Sequence, residues 1–211
     1  MTGILFDLDG TLLDTLDDLV DATNYALEIH GYPPRTKAEI RRFVGNGAAN
    51  QIRLSLPEGC CEEEVQAVLN TYKPYYTANC QRKTAPYPGI MEALAALKGK
   101  YPMAIVSNKP DAAVKALCAD FFPGIYALGE TADCPRKPAP DMVFKAMAEI
   151  GADRCIYVGD SEVDVLTAKN AGVPCLSVLW GFRNREELEN THFCEETSEL
   201  VDKLEEMIHV Q

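Results

Sequence analysis

The most constraining feature of this sequence is a set of five short apolar runs, at residues 4–9, 103–108, 125–130, 155–160 and 174–180. Several are almost continuous in Val, Ile, Leu and Phe, the pattern of parallel strands covered on both faces. Helical spacing predicts helices at 90–98, 111–120, 139–150 and 163–171, separating the last four runs or preceding them. Such alternation predicts an α/β fold, a Rossmann-like doubly wound parallel sheet. Right-handed crossovers then bring the carboxyl ends of the strands to one edge, where such sheets bind ligands.

Between the first run and the second the rhythm breaks. Residues 14–83 hold no strand signal. Leu16, Leu19, Val20, Ala26 and Leu27 recur at helical spacing, and Gly31 is a stop. Thr36 with Glu39 reads as a capping box ahead of Ile40 and Phe43. A third helix is expected after Gly47 and a fourth over 62–76. Residues 14–83 are therefore read as an inserted α-helical cap domain, with residues 1–13 and 84–211 forming the α/β core.

The 211 residues carry 20 Lys plus Arg against 32 Asp plus Glu, a net charge of −12. That excess argues against nucleic acid, which needs clustered cations to neutralise phosphates. No apolar run reaches the roughly 18 residues of a membrane span. The opening Met1-Thr2-Gly3-Ile4 has no basic residue, and Asp7 interrupts any signal-peptide core. The eight cysteines form no C-x-x-C pair, and Cys60 and Cys61 are adjacent. A reducing, cytoplasmic location is the expectation.

Chemistry collects at the strand ends. The first run leads into Phe6-Asp7-Leu8-Asp9-Gly10-Thr11 and the second into Ser107-Asn108-Lys109; Lys137-Pro138-Ala139-Pro140 precedes the fourth, which leads into Gly159-Asp160-Ser161-Glu162-Val163-Asp164. In one crevice these give several carboxylates, a hydroxyl and a lysine. Two carboxylates about 3 Å apart repel by about 5 kcal/mol even at an effective dielectric of 20. Hard oxygen ligands suit Mg²⁺, and an ion held by Asp7 and Asp160 removes most of that repulsion. Ser107 and Lys137 suit phosphate oxygens, and an Asp carboxylate can accept a phosphoryl group. Asp7 and Asp9, two apart on an extended strand end, would point the same way. One can attack phosphorus while the other handles the proton, and Gly10 lets the backbone turn toward the phosphate.

These four segments, in this order, resemble the motifs of the haloacid dehalogenase superfamily of phosphatases along the whole chain. The resemblance implies Asp7 as nucleophile and Mg²⁺ ligand, and Asp9 as acid/base and ligand through its backbone carbonyl. It implies Ser107, with Asn108 beside it, and Lys137 as phosphate binders. Asp160 follows as a direct Mg²⁺ ligand, with Asp164 supporting the metal. The acid at Asp9 argues against the dehalogenase branch. Residues 41–47 of the cap and Trp180-Gly181-Phe182 resemble the phosphoglycolate phosphatase branch; residues 190–196 depart from its Gly-Ala pair and following strand, and no strand is read there.

The expected activity is thus Mg²⁺-dependent hydrolysis of a small phosphorylated metabolite, with 2-phosphoglycolate first, through an aspartyl-phosphate. Arg42 and Asn46 are candidate substrate contacts in the cap. The rivals are a phosphomutase, a pyrophosphatase or nucleotidase, and, from another class, a phospho-accepting signalling module. Other duties compete for some residues. Ser161 to Asp164 fits a helix-capping box, Ser107 could cap the next helix, and Lys109 reads as a solvated cation whose backbone faces the site. His30, His192 and His209 read as structural, and 195–207 as an acidic amphipathic surface helix.

Overall fold

The central strand, β1 (Thr2–Phe6), is apolar on both faces and hydrogen-bonded on both edges. The computed structural model describes residues 1–210. After β1 come β2 (Leu13–Asp14) and four helices, α1 (Leu16–Ile29), α2 (Lys37–Phe43), α3 (Gly47–Ser55) and α4 (Glu62–Asn79). The chain continues through β3 (Ala85–Pro86), α5 (Ile90–Leu97), β4 (Met103–Pro110), α6 (Asp111–Phe121), β5 (Tyr126–Glu130) and α7 (Asp141–Glu149). It ends with β6 (Arg154–Gly159), α8 (Glu162–Ala171), β7 (Cys175–Val178), β8 (Phe193–Cys194) and α9 (Leu200–Val210).

Six strands pair in parallel in the order β5-β4-β1-β6-β7-β8. The chain winds outward from β1 to β5 and then returns to the opposite side of β1 at β6. This reversal opens a crevice at the carboxyl end of β1, where doubly wound sheets bind ligands. Alternate residues face different layers, as the pleat requires. Leu5, Ala104, Val106, Cys155 and Tyr157 pack with Met142, Val143 and Ala146 of α7. Ile4, Phe6, Ile105, Ile156 and Val158 face the other way, toward α5, α6 and α9.

The four helices between β2 and β3 bury their apolar faces in that second layer, so Leu19, Ile52, Leu69, Tyr72 and Tyr76 share a continuous core with Phe6, Leu8 and Leu12. Where the chain leaves and re-enters this helical segment, β2 and β3 pair antiparallel. The buried Asp18 carboxylate accepts from the Lys83 and Thr84 N–H groups and from Thr84 Oγ1, tying α1 to the re-entry point. The capping box opens α2: Thr36 N–H donates to Glu39 Oε2 (2.8 Å), and Glu39 N–H donates to Thr36 Oγ1.

Three boundaries differ from the sequence reading. β1 stops at Phe6; Asp7 still bonds to Val158, but the chain bends at Leu8 and Asp9 forms an isolated bridge with Leu13, so the extended strand end does not reach Asp9. A sixth strand, β8, completes the sheet edge within 190–196; it pairs only Phe193 and Cys194 with Ser177 and Val178, too short to show a pattern. The last helix starts at Leu200 and not at residue 195, because Leu179 N–H still donates to the Cys194 carbonyl and a 3₁₀ turn over Thr197–Glu199 follows. Among the described residues no helix is long and apolar enough to cross a membrane.

Candidate active site

The crevice beyond β1 encloses a cavity of about 40 Å³ lined by Asp7, Asp9, Ser107, Lys109, Lys137 and Asp160 from the strand ends, and by Gln51, Tyr72 and Tyr76 from the helices. A water needs about 10–15 Å³ of such space, so this arrangement admits only small groups.

β1 hands Asp7 to the site directly, since its N–H continues the ladder to the Val158 carbonyl (2.8 Å). Its Oδ1 accepts from Lys137 Nζ at 2.8 Å. The same ammonium donates to Asp164 Oδ1 (2.8 Å) and the Tyr157 hydroxyl (3.0 Å), and is 2% exposed. Asp164 Oδ2 takes Ser161 N–H and Oγ, so the capping box forms and the acid serves Lys137 as well. Asp160 accepts from Phe182 N–H (2.6 Å) and Thr11 Oγ1 (3.3 Å).

Asp7, Asp160 and Asp164 are all buried, and each offers an oxygen within 4.8 Å of the others'. Three carboxylates then face one ammonium. Burial first, and the Asp164 charge next, push the Asp7 carboxyl up to about 7, against the pull of Lys137. Burial, with Asp164 and Asp7 beside it, drives Asp160 well above the carboxylate range. Burial disfavours the Lys137 charge, but Asp164 and Asp7 outweigh it and hold that pKa well above the ordinary lysine value. Hard, crowded, under-neutralised oxygens of this kind fit a divalent cation such as Mg²⁺.

Gly10 shows how closely the site is built. Its φ is +83°, and a Cβ there would fall 2.3 Å from Asp160 Oδ2. Neither condition admits a side chain.

Asp9 lines the same cavity as Asp7 and Asp160; past the bend at Leu8 its carboxylate accepts from Thr15 Oγ1 and Lys109 Nζ, each 2.6 Å from Oδ1. Lys109 is not solvated: it is 5% exposed, and its ammonium also donates to the Tyr76 hydroxyl at 2.6 Å. β4 runs on to Pro110 with its register shifted past Val106, and Ser107, Asn108 and Lys109 all reach the cavity wall.

Ser107 is buried at the cavity wall and does not cap α6; its Oγ accepts from Lys109 N–H (3.2 Å). Asn108 lines the cavity too and grips the lysine segment. Its Oδ1 accepts from Lys137 N–H (2.8 Å), and its Nδ2 donates to the carbonyls of Lys137 (2.9 Å) and Gly45 (3.1 Å). Arg42 and Asn46 do not line the cavity. α2 buries only Ile40, so Arg42 lies on its exposed side, beside a separate outer cleft. Asn46 is the residue before α3, and its neighbours Gly45 and Gly47 take the cavity wall.

Arg183, which sequence reasoning missed, lies buried between the helical segment and the sheet. It donates to the carbonyls of Arg41 (2.9 Å) and Val44 (2.8 Å) at the end of α2 and pairs with Glu162 (2.8 Å). Nothing in the local sequence marks it, since apart from Glu162 its partners are backbone carbonyls about 140 residues away.

Fold and site together define an enzyme with a doubly wound parallel sheet and a buried cluster of convergent aspartates. The signature of the haloacid dehalogenase-like hydrolases spans residues 4–178, and the chain belongs to that family. It is an enzyme of the phosphatase type. Phosphoglycolate phosphatases from Mesorhizobium japonicum and Pseudomonas aeruginosa are each 35% identical to it, over 95% and 86% of this chain and 95% and 70% of theirs. A Lactobacillus delbrueckii subsp. bulgaricus crystal structure, provisionally called a phosphoglycolate phosphatase, superposes with a TM-score of 0.91 at 36% identity, over 96% of this chain and 98% of that one.

Proposed function

We propose that the protein is a Mg²⁺-dependent phosphatase that hydrolyses a small phosphate monoester, 2-phosphoglycolate foremost, through an aspartyl-phosphate on Asp7. The observation that carries this reading is the Lys137 ammonium, 2.8 Å from both Asp7 and Asp164 inside a buried group of three carboxylates. Relatives named phosphoglycolate phosphatase support the choice of substrate.

Asp7 attacks phosphorus, while Lys137 and the Ser107 hydroxyl meet the phosphate oxygens where charge builds. Asp9 gives its proton to the leaving oxygen and then takes one from the water that hydrolyses the aspartyl-phosphate. Asp7 and Asp160 would hold Mg²⁺ directly, with the Asp9 carbonyl as a further ligand and Asp164 behind. The metal would neutralise the carboxylates and the incoming phosphate.

Residues 14–83 act as the cap over a core of 1–13 and 84–211. Tyr72, Tyr76 and Gln51 hold back bulk water and limit the size of the leaving group. Eight free cysteines suit a cytoplasmic location. A panel of phosphate esters and pyrophosphate, assayed with Mg²⁺ and with EDTA, tests the reading. Phosphate release from 2-phosphoglycolate that ceases on chelation supports it. Undiminished activity in EDTA counts against the metal, and isomerised sugar phosphate without free phosphate points to a mutase.

A further inference from the structure

Asp9 is anchored by one oxygen. Oδ1 accepts both the Thr15 hydroxyl, at the foot of α1, and the Lys109 ammonium, each at 2.6 Å. No hydrogen bond among the described residues engages Oδ2, and Asp9 borders the cavity. A carboxylate held on one oxygen by two donors from different elements cannot turn its other oxygen without breaking both bonds. Lys109 has a second attachment that belongs to neither β1 nor β4. Its ammonium donates to the Tyr76 hydroxyl on α4 at 2.6 Å and lies 4.5 Å from the centre of that ring. The acid, the lysine and the helix thus form one buried chain of contacts.

We propose that Lys109 is a positioning residue: it aims Oδ2 of Asp9 at the leaving group, and it does so only while Tyr76 of the docked α4 holds its ammonium. The proposal rests on Asp9 being the general acid. In the step concerned, an Asp7 oxygen bonds to phosphorus, the ester P–O bond breaks, and the proton on Asp9 passes to the departing alkoxide. Acetyl phosphate differs in one respect, because acetate leaves without needing that proton.

The test compares kcat/KM for 2-phosphoglycolate and for acetyl phosphate in the Mg²⁺-loaded enzyme. This quantity reports events up to the aspartyl-phosphate, so the later water attack does not enter. Asp9→Asn sets the reference, with a large loss on 2-phosphoglycolate and little on acetyl phosphate. Lys109→Met is expected to lower the first by about 30-fold and the second by less than about 3-fold, a share of the roughly 10²–10⁴-fold worth of a positioned acid. Tyr76→Phe, which keeps the ring and the lysine, is expected to repeat this selectivity at about 5-fold and to add nothing in a Lys109→Met background.

Equal losses on both substrates in Tyr76→Phe, or effects that add in the double variant, overturn the proposal while leaving Asp9 as the acid. Equal losses in Asp9→Asn overturn the acid itself, and the proposal with it. If Lys109→Met does not fold, the substrate selectivity of Tyr76→Phe decides alone.

Discussion

Lys137 and Asp7, 130 positions apart in the chain, meet at 2.8 Å, and the lysine reaches that point on a backbone clamped from both sides. Asn108 accepts from its N–H and donates to its carbonyl, while Asp164 and Tyr157 hold the ammonium. The cation's position is therefore set by the core and not by a flexible arm. Lys137→Met is expected to reduce kcat/KM by about 10²–10³-fold, the usual cost of losing a preorganised charge at a phosphoryl centre. It is also expected to destabilise the metal-free protein by about 3 kcal/mol, as buried carboxylates lose their partner. Steady-state kinetics and urea melts check both.

The raised Asp7 pKa gives metal-free stability a definite direction with pH. Its folded value of about 7 lies above the ordinary 3.8, so the unfolded chain releases the proton first. The contribution is fully present below about pH 4 and is lost as pH rises toward 7. Metal binding needs the ionised carboxylates and strengthens over the same range. Thermal melts with Mg²⁺ and with EDTA should therefore differ more at pH 8 than at pH 5.5. An equal shift at both would contradict the placement of the ion at Asp7.

Asp18 carries no catalytic duty, yet it joins α1 to the strand that returns from the helices. Three donors share its buried carboxylate. Asp18→Ala leaves the Lys83 and Thr84 N–H groups without that partner and is expected to cost about 2–3 kcal/mol. The urea midpoint should fall accordingly. A protease should also cut first near residues 83–86, where the anchor is lost.

Gly10→Ala must place a methyl group against Asp160 while holding a left-handed backbone. A non-glycine residue there costs about 1–3 kcal/mol of strain. The sharper consequence is displacement of the Asp160 carboxylate. The Kd for Mg²⁺, read by calorimetry, should rise by about 10-fold or more, as for other lost supports of metal ligands.

What was legible in the sequence follows from range. Apolar runs ending in Asp, Ser and Gly-Asp revealed the strands and their crevice, because a strand buried on both faces leaves a local mark. The capping boxes of α2 and α8 were readable for the same reason, as their partners lie three residues apart. Lys109 was misplaced because a lone lysine after a strand is usually solvated, and only the continuation of β4 to Pro110 turns it inward. Arg183 and Asp18 bond to backbone groups far away in the chain and leave no spacing to find. Arg42 and Asn46 were read as candidate substrate contacts in the cap, but the packing of α2 on Ile40 alone turns Arg42 outward.

The most direct test of the Asp7 assignment is a rapid acid quench of the Mg²⁺-loaded enzyme turning over phosphorus-labelled 2-phosphoglycolate, followed by peptide mapping. A hydroxylamine-labile phosphoryl group is expected on Asp7 and on no other residue, and Asp7→Asn is expected to fold, to carry no label and not to turn over. Label on a different residue, or hydrolysis by Asp7→Asn at the wild-type rate, would contradict Asp7 as the nucleophile.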